Sequence, residues 1–169
     1  SSCTTFIDSC AANPSSDNNL GTIEATKNFR SSVDIKCTHG MDFGAWRNIF
    51  HMSGGGNSGN PGDRFFAAWR RPNENKLYFA LGVPYGGYAH YKTLDCVNGE
   101  WNTFVLEQRD DGETITLEFT MDGNEIASYN YPSEDAIVEM NIDAFSSRET
   151  NNNNVAWLFE VRNFFHEEL

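Results

Sequence analysis

Hydrophobic and polar residues alternate along much of this chain, and residues 113–121 (ETITLEFTM) do so without interruption. Every second residue there is apolar, which is the period of a β-strand with one face on a core and the other in water. The segment ends at Asp122 and Gly123, a two-residue hairpin signal, and residues 125–131 return in the same manner. The pattern predicts two antiparallel strands joined by a tight turn.

Patterns of the same kind predict about eleven short strands and little or no helix. Turn residues recur about every 8 to 12 positions, as in sandwiches and jelly rolls. Strands do not alternate with helices, which argues against a parallel sheet. We therefore predict an all-β fold, a two-sheet antiparallel sandwich of the jelly-roll type. Near the end of the chain, the predicted strands are residues 137–144 and 155–164.

The chain is expected to hold one domain over residues 20–169, preceded by an irregular arm at residues 1–19. The arm is polar and rich in Ser, Asn and Asp, and a disulfide within it would hold it in place. The domain needs no cofactor to fold, because a chain of 169 residues buries about 70% of its unfolded surface. Its 13 Phe, 4 Trp and 6 Tyr provide the large apolar area that a two-sheet core requires.

The net charge of −12 comes from 24 acidic and 12 basic residues. Such a surface repels phosphate backbones and anionic lipid heads, so we expect no nucleic-acid partner. No apolar run approaches the roughly 18 residues of a membrane span, so we expect no membrane insertion. The negative charge is compatible with calcium, a neutral sugar or a basic protein as a ligand. It is equally compatible with no ligand, since charge alone keeps a domain in solution.

The four cysteines are even in number and show neither a C-x-x-C pair nor zinc-finger spacing, which favours disulfides over metal. Three pairings are possible, and we favour Cys3–Cys10 with Cys37–Cys96. Disulfides, and a start without Met or an apolar leader, predict a secreted protein. The C-terminal residues 166–169 (HEEL) resemble an endoplasmic-reticulum retrieval tag, and we favour a chance match.

Five short motifs follow one another in the central part of the chain. They are Trp46-Arg47-Asn48-Ile49-Phe50-His51, Gly62-Asp63-Arg64, Ala68-Trp69 with Lys76-Leu77-Tyr78-Phe79, Asn98-Gly99-Glu100-Trp101-Asn102 and Met121-Asp122-Gly123-Asn124-Glu125. Their order resembles one branch of the laminin-G-like, concanavalin-A-type jelly rolls of extracellular animal proteins, often from marine invertebrates. The resemblance implies two antiparallel sheets and an extracellular recognition role.

A calcium site is the first candidate for chemistry. Calcium takes six to eight oxygen ligands, which loops between strands can supply. The best local cluster combines Asp143 with Glu149 and Asn151, and Asp63 could add a ligand from another loop. The simpler interpretation is an Asn-rich turn, with Asp63 paired to an arginine.

An aromatic sugar platform is the second candidate. Residues Tyr85, Tyr88, His90 and Tyr91 follow glycines that would let a loop approach a ligand closely. Sugar C–H faces stack on aromatic rings, while a tyrosine tip can remain in water. In an extended segment Tyr88 and Tyr91 would point to opposite faces, so ordinary strand packing is the competing interpretation.

Catalysis is the third candidate, and we do not expect an enzyme. Glycosidases use two carboxylates close together, but the acidic residues show no Glu-x-Asp-x-x-Glu pattern, and the four histidines are scattered. We predict a secreted, lectin-like, carbohydrate-binding module in cell adhesion or extracellular matrix. The alternatives are a protein–protein adhesion module, with possible self-association, and a polysaccharide lyase or glycosidase that would use His90.

Overall fold

The computed structural model describes residues 3–7, 22–24, 26–38, 46–54, 60, 62–82, 90–136, 141–143 and 159–169. Over these residues the chain forms β-strands and one short 3-10 helix at Ser133–Asp135. The strands are β1 Cys3–Ile7, β2 Thr22–Glu24, β3 Phe29–Cys37, β4 Arg47–Met52, β5 Phe66–Arg70, β6 Lys76–Leu81, β7 Tyr91–Asp95, β8 Trp101–Asp110, β9 Thr114–Met121, β10 Asn124–Pro132, β11 Asn141–Asp143 and β12 Phe159–Glu168. In this part of the chain no helix is long and apolar enough to cross a membrane.

Six strands form the first sheet, in the antiparallel order β1-β12-β3-β8-β9-β10. Its β9–β10 hairpin is the one predicted from the sequence. In β9, Ile115, Leu117 and Phe119 are buried while the residues between them are exposed. The turn is made by Asp122 and Gly123, both with positive φ, as a two-residue hairpin turn requires. The alternation and the turn signal therefore describe this region correctly.

Four strands form the second sheet, in the antiparallel order β4-β5-β6-β7. The pair β2–β11 is a further antiparallel ribbon, and β11 contacts β4. The fold is thus the predicted antiparallel sandwich. Every residue of β5 is buried, so this strand is covered on both faces.

Aromatic rings from the two sheets meet in the core. Phe79 of β6 lies with its ring centroid 4.7 Å from that of Phe104 and 4.9 Å from that of Phe119, both on the six-stranded sheet. A disulfide also joins the two layers, because Cys37 ends β3 and Cys96 follows β7. This is the long-range pairing favoured from the sequence, whereas the Cys3–Cys10 pairing lies outside the described residues.

The first and last strands of the chain, which pair in the six-stranded sheet, differ from expectation. Residues 3–7 were expected within an irregular arm, but they form β1 and pair with β12. A short edge strand is held by hydrogen bonds between backbone groups, so it can form without an alternating hydrophobic pattern in its sequence. The final strand is described as Phe159–Glu168 and so extends past the predicted end at residue 164, while residues 155–158 lie outside the described residues. A bulge at Asn163, where φ is 51°, interrupts its alternation and hides its true extent. Of predicted strand 137–144, the described part is β11.

Candidate functional site

The strand β5 carries two separate apolar faces. Phe66 and Ala68 belong to the main core between the sheets, whereas Ala67 and Trp69 form a second buried cluster with Ala80 of β6. Successive side chains of a strand point to opposite faces, so this second cluster lies on the outer face of the four-stranded sheet. That face is therefore apolar, although a sheet face turned to water is usually polar.

Strand register aligns aromatic rings on this outer face. Trp69 is paired with Tyr78, and Ala80 with Tyr91. The ring centroids of Tyr78 and Tyr91 are 5.3 Å apart, with 13° between the planes, and those of Trp69 and Tyr78 are 6.0 Å apart. Trp46, just before β4, meets Tyr78 edge-on at 5.1 Å. These four rings, Trp46, Trp69, Tyr78 and Tyr91, are called the aromatic row below.

A cleft of about 440 Å³ opens on the aromatic row. Its described lining residues are Trp46, Arg64, Trp69, Arg71 and Tyr78, which define "the cleft" below. The volume lies within the usual range for small-ligand sites. Trp69 is only 2% exposed and forms the floor, whereas Trp46 is 37% exposed and offers its indole to solvent.

Two arginines lie against the indole rings of the cleft. The guanidinium carbon of Arg64 is 5.0 Å from the Trp69 ring centroid, and that of Arg71 is 5.5 Å from the Trp46 ring centroid. At these distances the cations are attracted to the ring faces. Arg71 also donates from Nη1 to Thr93 Oγ1 at 3.4 Å, and its Nε is 3.0 Å from Glu74 Oε2. The cleft thus combines flat apolar rings with fixed cationic donors.

The segment that carries Arg64 is held from both sides. His51 Nε2 lies 2.6 Å from the carbonyl oxygen of Asp63, to which the ring donates in the matching tautomer. On the other side, the backbone N–H of Phe65 donates to the carbonyl of Met52 at 3.0 Å. Arg64 therefore projects from a backbone that is tied to β4 at both neighbouring residues.

Electrostatics within the cleft act on the phenol of Tyr78. Burial and the nearby Tyr91 raise its pKa above the ordinary value, and the positive charges of Arg64 and Arg71 oppose that rise. Tyr78 accordingly remains a neutral phenol at physiological pH. A neutral phenol both donates and accepts a hydrogen bond, which suits recognition of hydroxyl groups.

The four residues predicted as a sugar platform have different placements. Tyr91 belongs to the aromatic row, whereas the ring of His90 stacks on Tyr129 of the six-stranded sheet, 3.8 Å between centroids and 10° between planes. Burial lowers the pKa of His90. The structure therefore places Tyr91, and not His90, in the aromatic row, although Tyr91 is not among the described residues that line the cleft. Tyr85 and Tyr88 lie outside the described residues.

The predicted calcium ligands are only partly within the described residues. Asp63 lies within the described residues, and its backbone carbonyl oxygen is hydrogen-bonded to the ring of His51. Asp143 ends β11, and its side chain is not described. Glu149 and Asn151 lie outside the described ranges. Within those ranges, no group of three or more His, Cys, Asp and Glu side chains could hold a metal ion.

The sequence analysis did not predict a site at the residues that build the cleft, although Trp46, Arg64, Trp69 and Tyr78 stand in the motifs that carry the resemblance. A signal was present, since residues 65–69 (FFAAW) are continuously apolar and arginines lie on either side. A continuous apolar run indicates a strand covered on both faces. It does not tell which outer side chains of neighbouring strands stand side by side, because register decides that.

Comparison with known proteins yields structural likeness alone, since no protein-family model and no curated protein matches the chain. A heptameric SAP-like pentraxin from Limulus polyphemus is 12% identical, with a TM-score of 0.53 over 99% of this chain and 77% of that one. A Bacillus licheniformis β-glucanase is 12% identical, with a TM-score of 0.49 over 99% and 92% of the two chains. The CBM40 of a Ruminococcus gnavus IT-sialidase, bound to α2,3-sialyllactose, is 12% identical with a TM-score of 0.46 over 94% and 90%. The pentraxin likeness agrees with the two-sheet fold.

Proposed function

We propose that this chain is a non-catalytic carbohydrate-binding module of an extracellular adhesion or matrix protein, with the cleft as its sugar site. The observation that carries the proposal is the exposure of Trp46, 37% accessible, at the mouth of the cleft beside Tyr78 and Arg71. A sugar ring presents C–H groups to an aromatic face and hydroxyls at its rim. In the cleft, the indole of Trp46 can pack against the C–H groups, and the arginines and the Tyr78 phenol can donate hydrogen bonds to the hydroxyls.

Exposure supports a binding role for Trp46 over a packing role. Among the described residues, the exposed large hydrophobic side chains are Trp46 and Val97. Val97 lies next to the disulfide and outside the aromatic row, whereas Trp46 continues a row of rings whose other members are partly or fully buried. Burying the remaining indole surface against a sugar would add favourable free energy at about 25 cal/mol per Å².

The extracellular and non-catalytic parts of the proposal have separate support. The disulfide between Cys37 and Cys96 is typical of proteins that fold in oxidising compartments. Glu107 and Glu118 stand opposite each other on β8 and β9, but both lie on the outer face of the six-stranded sheet, and Glu107 is paired with Arg30 and Arg109.

A glycan array, screened with and without calcium, tests the proposal. We expect binding to a subset of sugars, lost in Trp46→Ala and retained in the control Val97→Ala, which removes exposed apolar surface elsewhere. Quenching or a spectral shift of indole fluorescence on titration with the best sugar should also disappear in Trp46→Ala. An array without signal under both conditions would refute the proposal, as would unchanged affinity in Trp46→Ala.

A further inference from the structure

We propose that the sugar bound in the cleft is acidic, bearing a carboxylate or sulfate, and that Arg71 is the residue that binds its charge. This inference rests on the proposed function and adds the chemical class of the ligand.

The charge of the cleft is opposite to that of the chain. The protein has 12 basic and 24 acidic residues, yet two arginines are found among the five described residues that line this one cleft. Each arginine lies against a tryptophan ring. Cations gathered in a concave, partly desolvated site attract an anion more strongly than the same charges on an open surface. A ligand of opposite charge is therefore favoured.

Arg71 is positioned to meet a ligand that packs against the exposed part of Trp46. Its guanidinium lies 5.5 Å from the indole centroid and is oriented by the hydrogen bond from Nη1 to Thr93. A guanidinium is a planar fork whose parallel N–H groups match the oxygens of a carboxylate or sulfate. A sugar beside Arg71 on the exposed part of the indole would bring a ring substituent within reach of this fork.

The present partner of Arg71 is the carboxylate of Glu74. Glu74 Oε2 is 3.0 Å from Arg71 Nε, and both atoms are shielded from solvent, but neither makes a hydrogen bond with any described group, so the pair is an ion contact without good alignment. Both side chains are more than one-third exposed, and such pairs contribute little to stability. A ligand carboxylate or sulfate can replace Glu74 at small loss, so Glu74 competes with the ligand for Arg71.

The competition gives two substitutions with opposite expected effects. Arg71→Met should weaken binding of acidic sugars about tenfold or more, the usual effect of losing a hydrogen bond to a charged group. Glu74→Gln should strengthen binding of the same sugars, because Arg71 loses its competitor. Glu74→Gln should change binding of the matching neutral sugar by no more than about twofold, whereas Arg71→Met, which also removes a donor to sugar hydroxyls, should weaken the acidic forms more than the neutral form.

The chain offers a matched control for these variants. Arg109 on β8 is an exposed arginine that pairs with a glutamate, Glu107, at 2.8 Å, and it lies on the other sheet. Arg109→Met changes the net charge as Arg71→Met does and breaks a comparable pair away from the cleft. It should leave all sugar affinities unchanged.

The experiment uses calorimetric titration of the whole chain with sets of oligosaccharides that share one neutral backbone. Each set contains the neutral form, a form capped with a carboxylate-bearing sugar and a form carrying a sulfate. We expect the acidic forms to bind more tightly than the neutral form and to weaken with added salt, which screens charge. A preference for one acid form would identify the group that fits.

The outcomes separate the inference from the proposed function. Equal affinity for neutral and acidic forms would overturn the inference and leave the sugar site standing. Loss of acid selectivity in Arg109→Met, or weaker acid binding in Glu74→Gln, would also overturn it. Failure to bind any sugar would refute the proposed function itself. If Arg71→Met folds poorly, Arg71→Lys replaces it, because lysine keeps the charge but lacks the planar fork. Unchanged affinity for acidic sugars in both Arg71→Lys and Glu74→Gln would refute the inference.

Discussion

His166 should make this fold sensitive to mild acid. The side chain lies in β12 and is 2% exposed, with Nδ1 2.7 Å from Ser31 Oγ and its ring centroid 5.3 Å from that of Phe29. Burial lowers its pKa from the ordinary 6.5 to about 4, an effect that nearby Glu168 opposes. The folded protein therefore keeps this ring neutral, whereas the unfolded chain binds a proton as the pH falls below about 6.5.

The sign and size of the effect follow from this difference. Between pH 6.5 and about 4 the unfolded state binds more protons at this site, so the free energy of unfolding decreases as the pH falls. The stabilisation is complete above 6.5 and is lost down to about 4. At about 1.4 kcal/mol per pH unit, the loss amounts to roughly 3 kcal/mol. A domain with a typical total of about 5–15 kcal/mol would lose a substantial fraction.

Urea unfolding of the wild type and His166→Gln, from near pH 7 down to about pH 4, measures this loss. Glutamine can still bond to Ser31 but does not titrate, so its unfolding free energy should fall less steeply over this range. Carboxylates with lowered pKa, Glu107, Asp110 and Asp111, also lose stabilisation in acid, but equally in both proteins. Parallel pH profiles for the two proteins would refute the assignment, whatever the constant offset between them.

Three further outcomes are expected. Phe79→Ala removes a fully buried ring between the sheets and should lower the urea-unfolding free energy by about 3–5 kcal/mol, and a loss below about 1 would contradict the packing. The double substitution Cys37→Ser and Cys96→Ser removes the disulfide, whose cysteines are separated by 59 in sequence, and should lower the unfolding free energy by about 4 kcal/mol in the same assay. An unchanged urea midpoint would contradict this expectation. Calcium at about 100 times its dissociation constant should add about 2.7 kcal/mol to the unfolding free energy and raise the melting temperature of the wild type. The melting temperature of Asp143→Asn should not change. A wild type that shows no rise would exclude the predicted calcium site.

The sequence predicted correctly those strands that have one face in the core and the other exposed to solvent. In β9 the buried positions Ile115, Leu117 and Phe119 alternate with exposed residues because the outer face of the six-stranded sheet meets water. Burial on one side imposes the period of two, and the Asp122–Gly123 turn fixes where it reverses. Local pattern and tertiary environment coincide there.

Prediction failed where burial or pairing departs from that regular scheme. The alternation of β12 changes phase at Asn163, so the pattern before the bulge does not continue after it. The strand β1 is defined by its pairing to β12, which a local pattern does not contain. His90 and Tyr91 are adjacent, and strand alternation could have predicted that only one of them would lie on the outer face of the four-stranded sheet.

The cleft depends on a register that no local motif specifies. Burial of Phe66 and Ala68 in the main core forces Trp69 to the outer face, and the pairing of β5 with β6 then sets Trp69 opposite Tyr78. A slip of one residue would turn Trp69 inward and remove the floor of the cleft. The residues that fix the core thus also determine which rings line the cleft. Substitutions in the core of this sheet should therefore disturb the proposed recognition as well as stability, whereas changes on the outer face of the opposite sheet should leave recognition unchanged.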